Sequence, residues 1–292
     1  MIIAPSDKKY FSGKTTIKYN GKLLDLQAPR VMGILNVTPD SFYDGGRYHS
    51  VEAAVSHAAL MIEQGVSIID VGACSTRPGA KLPDEEEEMR RLSPIISALR
   101  LQFPELIISI DTFRSKVAAE MVKSFGDCII NDISAGTFDP QMFETIARLN
   151  VPYVLTHIKG TPDNMHKNPH YENVTKEVIR FLSEKVYHLH SLGVSDVIID
   201  PGFGFAKNLD HNYELFNHLD AFRFLELPLL VGISRKSMIY KLLNKSADDS
   251  LHGTIILNTL ALQAGANMLR VHDVSAAMEA VTIFNKLKEF AK

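Results

Sequence analysis

The chain has 292 residues, of which 46% are hydrophobic and 22% are charged, and its formal net charge is −3. These values are ordinary for a globular protein, and the absence of a basic surplus disfavours a nucleic-acid-binding protein. No stretch approaches the ~20 apolar residues that span a bilayer, and the N-terminus lacks the pattern of a signal peptide. The two cysteines, Cys74 and Cys128, indicate neither a disulfide framework nor a zinc site. We therefore expect a cytoplasmic protein that binds neither membranes nor nucleic acids.

The first predicted element is a β-hairpin within residues 15–26. Its apolar residues alternate around Asn20-Gly21, the strongest short hairpin signal. We assign residues 1–29 to an N-terminal extension that contains this hairpin, and residues 30–292 to one larger domain. The hairpin is expected to cover the bottom of that domain, where an open core would otherwise meet water.

Eight short apolar runs then alternate with eight helix-like segments. The runs are rich in β-branched residues and leucine, as buried parallel strands are, and the segments between them repeat apolar residues at helical spacing. Eight such repeats predict a (β/α)8 TIM barrel, and an open doubly wound sheet is the alternative. The predicted strands are 31–36, 68–72, 107–111, 128–132, 153–157, 197–200, 229–236 and 268–273, and the predicted helices are 51–64, 85–100, 114–123, 141–150, 171–192, 210–219, 250–264 and 275–288.

Each predicted strand ends in polar or charged residues, and barrel enzymes take their catalytic groups from these carboxyl ends. An isolated aspartate at a strand end caps the next helix as often as it does chemistry, so the set carries more weight than any member. A structural role is favoured most for Asp70 and Asp132. The candidates are Asn36, Asp70, Asp111, Asn131, Asp132, His157, Asp200, Lys236, Arg270, His272 and Asp273.

The last strand predicts an anion site. Arg270 and His272 are two residues apart and therefore project from the same face, and arginine binds phosphate oxygens bidentately. Arg235 and Lys236 add two cations at the adjoining strand end. A substrate phosphate or diphosphate would satisfy these groups. A buried Arg–Asp ion pair is an equally weighted alternative for Arg270.

Three further candidates, Asp111, Asn131 and Asp200, combine hydrogen-bond acceptors with an amide donor. Such a set can read the edge of a flat nitrogen heterocycle, although helix caps and barrel-mouth hydrogen bonds are the alternative. Residues 36–47 and 72–80 combine turn formers with polar side chains, as lids over a phosphorylated substrate would. Residues 200–207 place aromatic rings on a flexible backbone, suited to stacking on a planar ligand, or form an ordinary surface loop.

Seven motifs, in order along about residues 30 to 285, resemble those of the dihydropteroate synthase family. They are residues 33–42, 75–80, 109–115, 130–133, 200–205, 232–237 and 270–273. The resemblance implies a transferase of folate biosynthesis. It would condense 6-hydroxymethyl-7,8-dihydropterin diphosphate with p-aminobenzoate to give 7,8-dihydropteroate and diphosphate. It also implies Mg²⁺ as cofactor, competition of sulfonamides with p-aminobenzoate for its site, and a homodimer formed through the last helices.

The resemblance further implies a role for each matching residue. The pterin set is Asp111, Asn131, Asp200 and Lys236; the p-aminobenzoate set is Thr76, Arg77, Pro78, Phe205 and Ser237; the diphosphate set is Asn36, Arg270 and His272, with Asn36 also a Mg²⁺ ligand. The catalytic set is Asp111, Lys236, Arg270 and His272, with Asp40 in a supporting role once the first loop closes. For Asp40 a simple turn-forming role is the alternative.

Two segments depart from the family pattern: Ala73-Cys74 stands where many relatives carry Gly-Glu, and Ile158-Lys159 replaces the usual Met-Gln. Three other functions are compatible with parts of the pattern. They are a pterin-binding methyltransferase domain, which would not need the diphosphate site, a catalytically silent pterin-binding protein, and a lysine-dependent aldolase.

Overall fold

The N-terminal hairpin forms as the sequence predicts. The computed structural model describes residues 13–37, 46–74 (backbone only for 46–50), 82–160, 165 and 169–290. Strand β1 (Thr16–Tyr19) pairs antiparallel with β2 (Lys22–Asp25). Between them, Asn20 and Gly21 have φ values of 48° and 72°. Positive φ at both central residues is what a two-residue hairpin turn with the right twist requires.

The remaining strands form one parallel sheet in the order β8-β7-β6-β5-β4-β3-β10-β9. A parallel bridge between Ile199 and Leu229 joins β8 to the start of β9 and closes the ring. The predicted TIM barrel is therefore confirmed over the open sheet. The barrel strands are β3 (Arg30–Asn36), β4 (Ile68–Gly72), β5 (Ile107–Asp111), β6 (Ile129–Asp132), β7 (Tyr153–Thr156), β8 (Val197–Asp200), β9 (Leu230–Val231) and β10 (Met268–Val271).

Helices follow the strands and pack against the outward-facing apolar residues of the barrel. Helix α7 is absent from the predicted set, because six residues are too few to show helical periodicity. The helices are α1 (Gly46–Glu63), α2 (Glu85–Gln102), α3 (Ser115–Phe125), α4 (Met142–Leu149), α5 (Val174–Ser191), α6 (Leu209–Asn217), α7 (Ser237–Leu242), α8 (Leu251–Ala264) and α9 (Val274–Glu289). Within the described ranges, none of the helices is both long and apolar enough to cross a membrane.

The inside of the barrel is divided into two layers. The lower layer, at the start of the strands, is apolar and consists of Met32, Ile68, Ile107, Ile129, Val154, Ile198, Leu230 and Met268. Ile17, Tyr19 and Leu26 of the hairpin segment pack against it from below, which confirms the predicted cover. Two residues further along each strand, the same face carries the upper layer. It consists of Ile34, Asp70, Ser109, Asn131, Thr156, Asp200, Gly232 and Arg270.

Candidate active site

Arg270 lies at the centre of the polar residues in the upper half of the barrel. Its Nε donates to Oδ2 of Asp70 at 2.7 Å, and its Nη2 donates to Oδ2 of Asp111 at 2.8 Å. The Arg–Asp ion pair left open by the sequence is therefore present. Nη1 makes no hydrogen bond to any described residue. Arg270 can thus remain paired with two carboxylates and still offer one edge of its guanidinium to an anion.

Asp70, for which the sequence favours a structural role, joins two of the predicted substrate residues. It is completely buried, and its Oδ2 accepts from Nδ2 of Asn131 at 2.9 Å as well as from Arg270. Its other carboxylate oxygen has no partner among the described residues. Asp70 therefore holds Asn131 and Arg270 in a fixed relation. The detectable signal is a carboxylate in the middle of an apolar strand, which places it inside the barrel.

Asp111 and Asp200 occupy sites that disfavour their charged forms. Burial raises the pKa of Asp111 to about 7, against the opposing effect of Arg270 and with a further increase from the negative charge of Asp70. Burial also raises the pKa of Asp200, while the positive charge of Lys236 opposes the shift. Oδ1 of Asp200 accepts from the backbone N–H of Gly202 at 2.8 Å. Asp111 can therefore change protonation state close to neutral pH.

Lys236 follows β9 and lies beside the strand end that carries Asp200. Burial lowers its pKa to about 8, with Asp200 acting in the opposite direction. Its Nζ donates to the carbonyl oxygen of Phe203 at 2.5 Å and lies 4.9 Å from the centre of the Phe205 ring. This distance permits a cation–π contact. Lys236 is thus a hydrogen-bond donor whose position depends on the loop that follows β8.

His272 and Asn36 complete the described part of the mouth. The His272 side chain is exposed, and its Nδ1 lies 3.1 Å from Oγ of Ser234. Its pKa is lowered by partial desolvation and then by the charge of Arg270, so the ring is neutral at neutral pH. Asn36 ends β3, is exposed, and is in register with Gly72 of β4. Both side chains can reach a ligand above the barrel.

Arg235 does not join the site, so the expectation that it adds a cation there is wrong. Its guanidinium forms two parallel hydrogen bonds with Asp273, at 2.9 Å from Nε and 2.7 Å from Nη2. It also donates to Asp248 at 3.2 Å. Arg235 lies in a turn with φ of 55°, and its ion pair with Asp273 directs it to the start of α9, whereas Lys236 points to the Phe203 carbonyl at the mouth.

The other predicted residues fall into three groups. Ser237 begins α7 next to Lys236, and the Phe205 ring lies beneath the Lys236 ammonium, so both lie beside Lys236 at the barrel mouth. The structural role favoured for Asp132 is confirmed, since it accepts from Oη of Tyr153 at 2.6 Å and from the N–H of Ser134 at 2.7 Å. Asp40, Thr76, Arg77 and Pro78 lie outside the described residues.

Lys207 was missed by the sequence reasoning, and His157 was given no role. The Lys207 residue is only 5% exposed, and its Nζ lies 2.9 Å from Nδ1 of His157. Burial lowers the pKa of Lys207 to about 7. Nothing in sequence spacing separates a buried lysine from an exposed one. The sequence feature that points to Lys207 is its position at the end of the glycine-rich segment 200–207.

Comparison with known proteins agrees with this geometry. The sequence profile of the family described as pterin binding enzyme matches residues 32–272. Dihydropteroate synthase of Escherichia coli K12 is 45% identical over 265 residues, which are 90% of this chain and 93% of the relative.

Two solved structures are similarly close in fold. A Yersinia pestis dihydropteroate synthase in a sulfonamide drug complex aligns with a TM-score of 0.86 and 39% identity, covering 94% of this chain and 99% of that one. A Xanthomonas albilineans dihydropteroate synthase with 4-aminobenzoic acid aligns with a TM-score of 0.86 and 40% identity, covering 94% and 98%. The chain therefore belongs to the pterin-binding enzyme family, among the dihydropteroate synthases.

Proposed function

We propose that this protein condenses 6-hydroxymethyl-7,8-dihydropterin diphosphate with p-aminobenzoate, giving 7,8-dihydropteroate and diphosphate for folate synthesis. The observation that carries the proposal is the joining of Asn131, Asp70, Arg270 and Asp111 by direct hydrogen bonds at the barrel mouth. In this arrangement an amide and a carboxylate that can form hydrogen bonds with a heterocycle lie beside an arginine whose Nη1 is available to an anion. The relatives named above carry the same activity in their names.

The pterin ring is proposed to lie over the upper layer of the barrel. Carboxylates accept hydrogen bonds from ring N–H and exocyclic amine groups, and an amide both donates and accepts. Asp111, Asn131 and Asp200 supply these functions, and Lys236, next to Asp200, donates a further hydrogen bond to the ring. The four side chains come from four different strand ends, so the rigid barrel fixes their separation.

The diphosphate is proposed to bind above β10 and β3, through Arg270 Nη1, His272 and Asn36. Breaking the bond between the pterin methylene carbon and the diphosphate oxygen sends the electron pair to the diphosphate. The methylene carbon is left positively charged. Fixed positive charge on the leaving-group side and the Asp111 carboxylate on the pterin side stabilise this charge separation. The arylamine nitrogen then bonds to the methylene carbon and loses a proton.

Asn36 is proposed to hold Mg²⁺ together with oxygens of the substrate diphosphate. Within the described ranges there is no cluster of three or more acidic, histidine or cysteine side chains that could hold a metal by itself. Mg²⁺ commonly has only one or two protein ligands and takes the rest from phosphates and water, so a single exposed amide oxygen fits it. When bound, the ion would neutralise charge developing on the leaving group.

The p-aminobenzoate is proposed to bind beside Phe205 and Ser237, with Thr76, Arg77 and Pro78 completing the site. Phe205 offers an aromatic face and Ser237 begins α7 directly after Lys236. Arg77 would face the carboxylate of p-aminobenzoate. Sulfonamides should then displace p-aminobenzoate from this region, and a competition experiment in which p-aminobenzoate leaves sulfonamide binding unchanged would reject the placement.

A cytoplasmic homodimer is proposed as the working form. Two adjacent helices expose apolar side chains at helical spacing, Ile256 and Leu260 on α8 and Ile283 and Leu287 on α9, and the exposed Phe290 follows α9 directly. A second copy of the chain would cover them. Leu260→Asp should shift the mass in solution from dimer to monomer, whereas Leu101→Asp, at an even more exposed position on α2, should not. A monomeric unmodified protein would contradict the proposal.

The function is tested by measuring diphosphate release from purified protein with Mg²⁺ and the pterin diphosphate, with and without p-aminobenzoate. Release that requires p-aminobenzoate, with dihydropteroate identified by mass, is the expected result. A pterin-binding methyltransferase or a silent binding protein would bind the pterin and release no diphosphate. That outcome would contradict the proposal.

A further inference from the structure

The loop after β8, residues 201–206, contacts or contains several of the side chains that are proposed to bind the substrates. The carbonyl of Phe203 accepts from the Lys236 ammonium, and the Phe205 ring lies beneath it. The N–H of Gly202 donates to the carboxylate of Asp200. A displacement of this loop would therefore move Lys236, Phe205 and the hydrogen-bonding of Asp200 together.

Regular secondary structure does not hold this loop. Gly202, Gly204 and Ala206 have φ values of 69°, 81° and 49°, so the backbone reverses repeatedly. At Gly202 it passes so close to the end of β7 that an added Cβ would lie 1.9 Å from the carbonyl oxygen of His157. Only glycine fits there, because it combines positive φ with the absence of a side chain.

The Lys207 ammonium lies beneath the loop and forms three hydrogen bonds. Its Nζ donates to the carbonyl oxygens of Gly202 at 2.9 Å and Phe205 at 3.1 Å, and to Nδ1 of His157 at 2.9 Å. An ammonium has three N–H donors, so all are used. Two acceptors lie at opposite ends of the turn and the third lies just after β7. The lysine thus ties the loop to itself and to the neighbouring strand end.

A lysine in such a place is costly, since none of its three partners is a carboxylate. Burying an ammonium without an ion pair is unfavourable, and buried lysines are rare. The His157 ring must be neutral to accept this hydrogen bond, and its pKa is indeed lowered well below the ordinary value by burial and by Lys207. An apolar side chain of similar length would avoid this cost but would leave the Phe205 carbonyl without its hydrogen bond. The lysine is therefore suited to fixing the positions of the loop carbonyls rather than to filling space.

We propose that Lys207 is a positioning residue for the pterin substrate: by binding the Gly202 and Phe205 carbonyls it holds the loop that places Lys236, Phe205 and Asp200. The residue touches neither the pterin nor the diphosphate. This inference rests on the proposed function and adds a residue to it. It predicts that Lys207 affects affinity for the pterin much more than the bond-making step, because Arg270 and Asp111 lie on other strands.

The test compares Lys207→Met, which keeps the length and removes the donors, with Lys123→Met, an exposed lysine on α3. For Lys207→Met we expect KM for the pterin diphosphate to rise by about tenfold or more, as for loss of buried hydrogen bonds. We expect kcat to stay within about threefold and the unfolding temperature to change little, because removal of a buried charge offsets the loss of the hydrogen bonds. Lys123→Met should match the unmodified protein.

Two outcomes would overturn the proposal: an unchanged KM in a folded Lys207→Met protein, or a rise in KM matched by a fall in unfolding temperature. If Lys207→Met does not fold, His157→Leu removes one of the three acceptors, and an unchanged pterin KM there would equally overturn it. Calorimetric titration with the pterin alone distinguishes a failure of this proposal from a failure of the proposed function. If the unmodified protein releases no diphosphate, the proposed function is refuted. If the unmodified protein and Lys207→Met bind the pterin with equal affinity, the role of Lys207 is refuted.

Discussion

The lower and upper layers of the barrel interior are built on the same strands, two residues apart, and the lower layer is apolar whereas the upper layer is mostly polar. The lower layer is entirely aliphatic or methionine and is sealed by the N-terminal hairpin. The upper layer and the strand ends above it hold Asp70, Asn131, Asp200 and Arg270, which are buried or nearly so. One end of each strand therefore supplies packing and the other supplies the site.

The difference shows that the polar layer depends on the apolar one. Burial of Asp70 and Asp111 beside one arginine carries a desolvation cost, and a charge left without its partner would be strongly unfavourable. The apolar layer offsets this cost through close packing and removal of surface from water. Substitutions in the two layers should consequently have separable effects, on stability below and on activity above.

The largest effect is expected for Arg270→Ala, because it removes the link between the two carboxylates and the free edge offered to diphosphate. We expect kcat/KM to fall by about a thousandfold or more, as when a preorganised charge is removed, and the free energy of unfolding to fall by about 3–5 kcal/mol. Steady-state kinetics and urea unfolding measure both. Arg180→Ala, on the exposed face of α5, is the control. An active, equally stable Arg270→Ala protein would refute the site.

The lower layer is tested by Ile198→Ala, which opens a cavity between the apolar layer and the hairpin. The free energy of unfolding should fall by about 2–4 kcal/mol, from lost burial and the cavity. Well below the unfolding temperature, kcat/KM should remain within about twofold, since the upper layer is intact. Loss of activity without loss of stability would show that the two layers are not separable.

The pH dependence of kcat/KM sharpens the description of the upper layer. The pKa of Asp111 is raised to about 7 and that of Lys236 is lowered to about 8. If the reaction needs the carboxylate and the ammonium, activity falls below the first value and above the second. Asp70→Asn removes a nearby negative charge and should move the acid limb to lower pH. A kcat/KM that does not change between about pH 6 and about pH 9 would contradict both assignments.

The smallest effect is expected at the hairpin. Gly21 has φ of 72° and no atom within 4 Å of an added Cβ, so Gly21→Ala introduces only backbone strain. The free energy of unfolding should fall by about 1 kcal/mol with unchanged kinetics. Lys22→Ala, next to it and exposed, should alter neither quantity. A change in KM would mean that the hairpin influences the mouth.

Sequence reasoning was most successful where periodicity repeats. The parallel strands, the closed barrel and the hairpin each rest on patterns of four or more residues, and all were predicted. It also selected Asp111, Asn131, Asp200, Lys236 and Arg270 as strand-end residues. Pairing could not be read in the same way. Arg235 and Lys236 are adjacent and equally charged in sequence, but only the three-dimensional position of Asp273 determines that Arg235 is used for structure.

Asp70 and Lys207 show a second limit. Both are single charged residues in otherwise apolar or glycine-rich segments, and their partners lie 200 residues and 50 residues away in sequence. No local pattern reports such contacts. Burial and hydrogen bonding, which depend on the whole fold, are what place Asp70 beneath Arg270 and Lys207 beneath the loop after β8.

The most direct test of the central claim, that the pterin binds over the upper layer, is calorimetric titration of three proteins with the 7,8-dihydropterin substrate. The unmodified protein and Ile198→Val should bind it with the same affinity, while Asp111→Asn should bind it at least about tenfold more weakly, the effect of losing one charged hydrogen-bond acceptor. Equal binding by Asp111→Asn, or weakened binding by Ile198→Val, would contradict the claim.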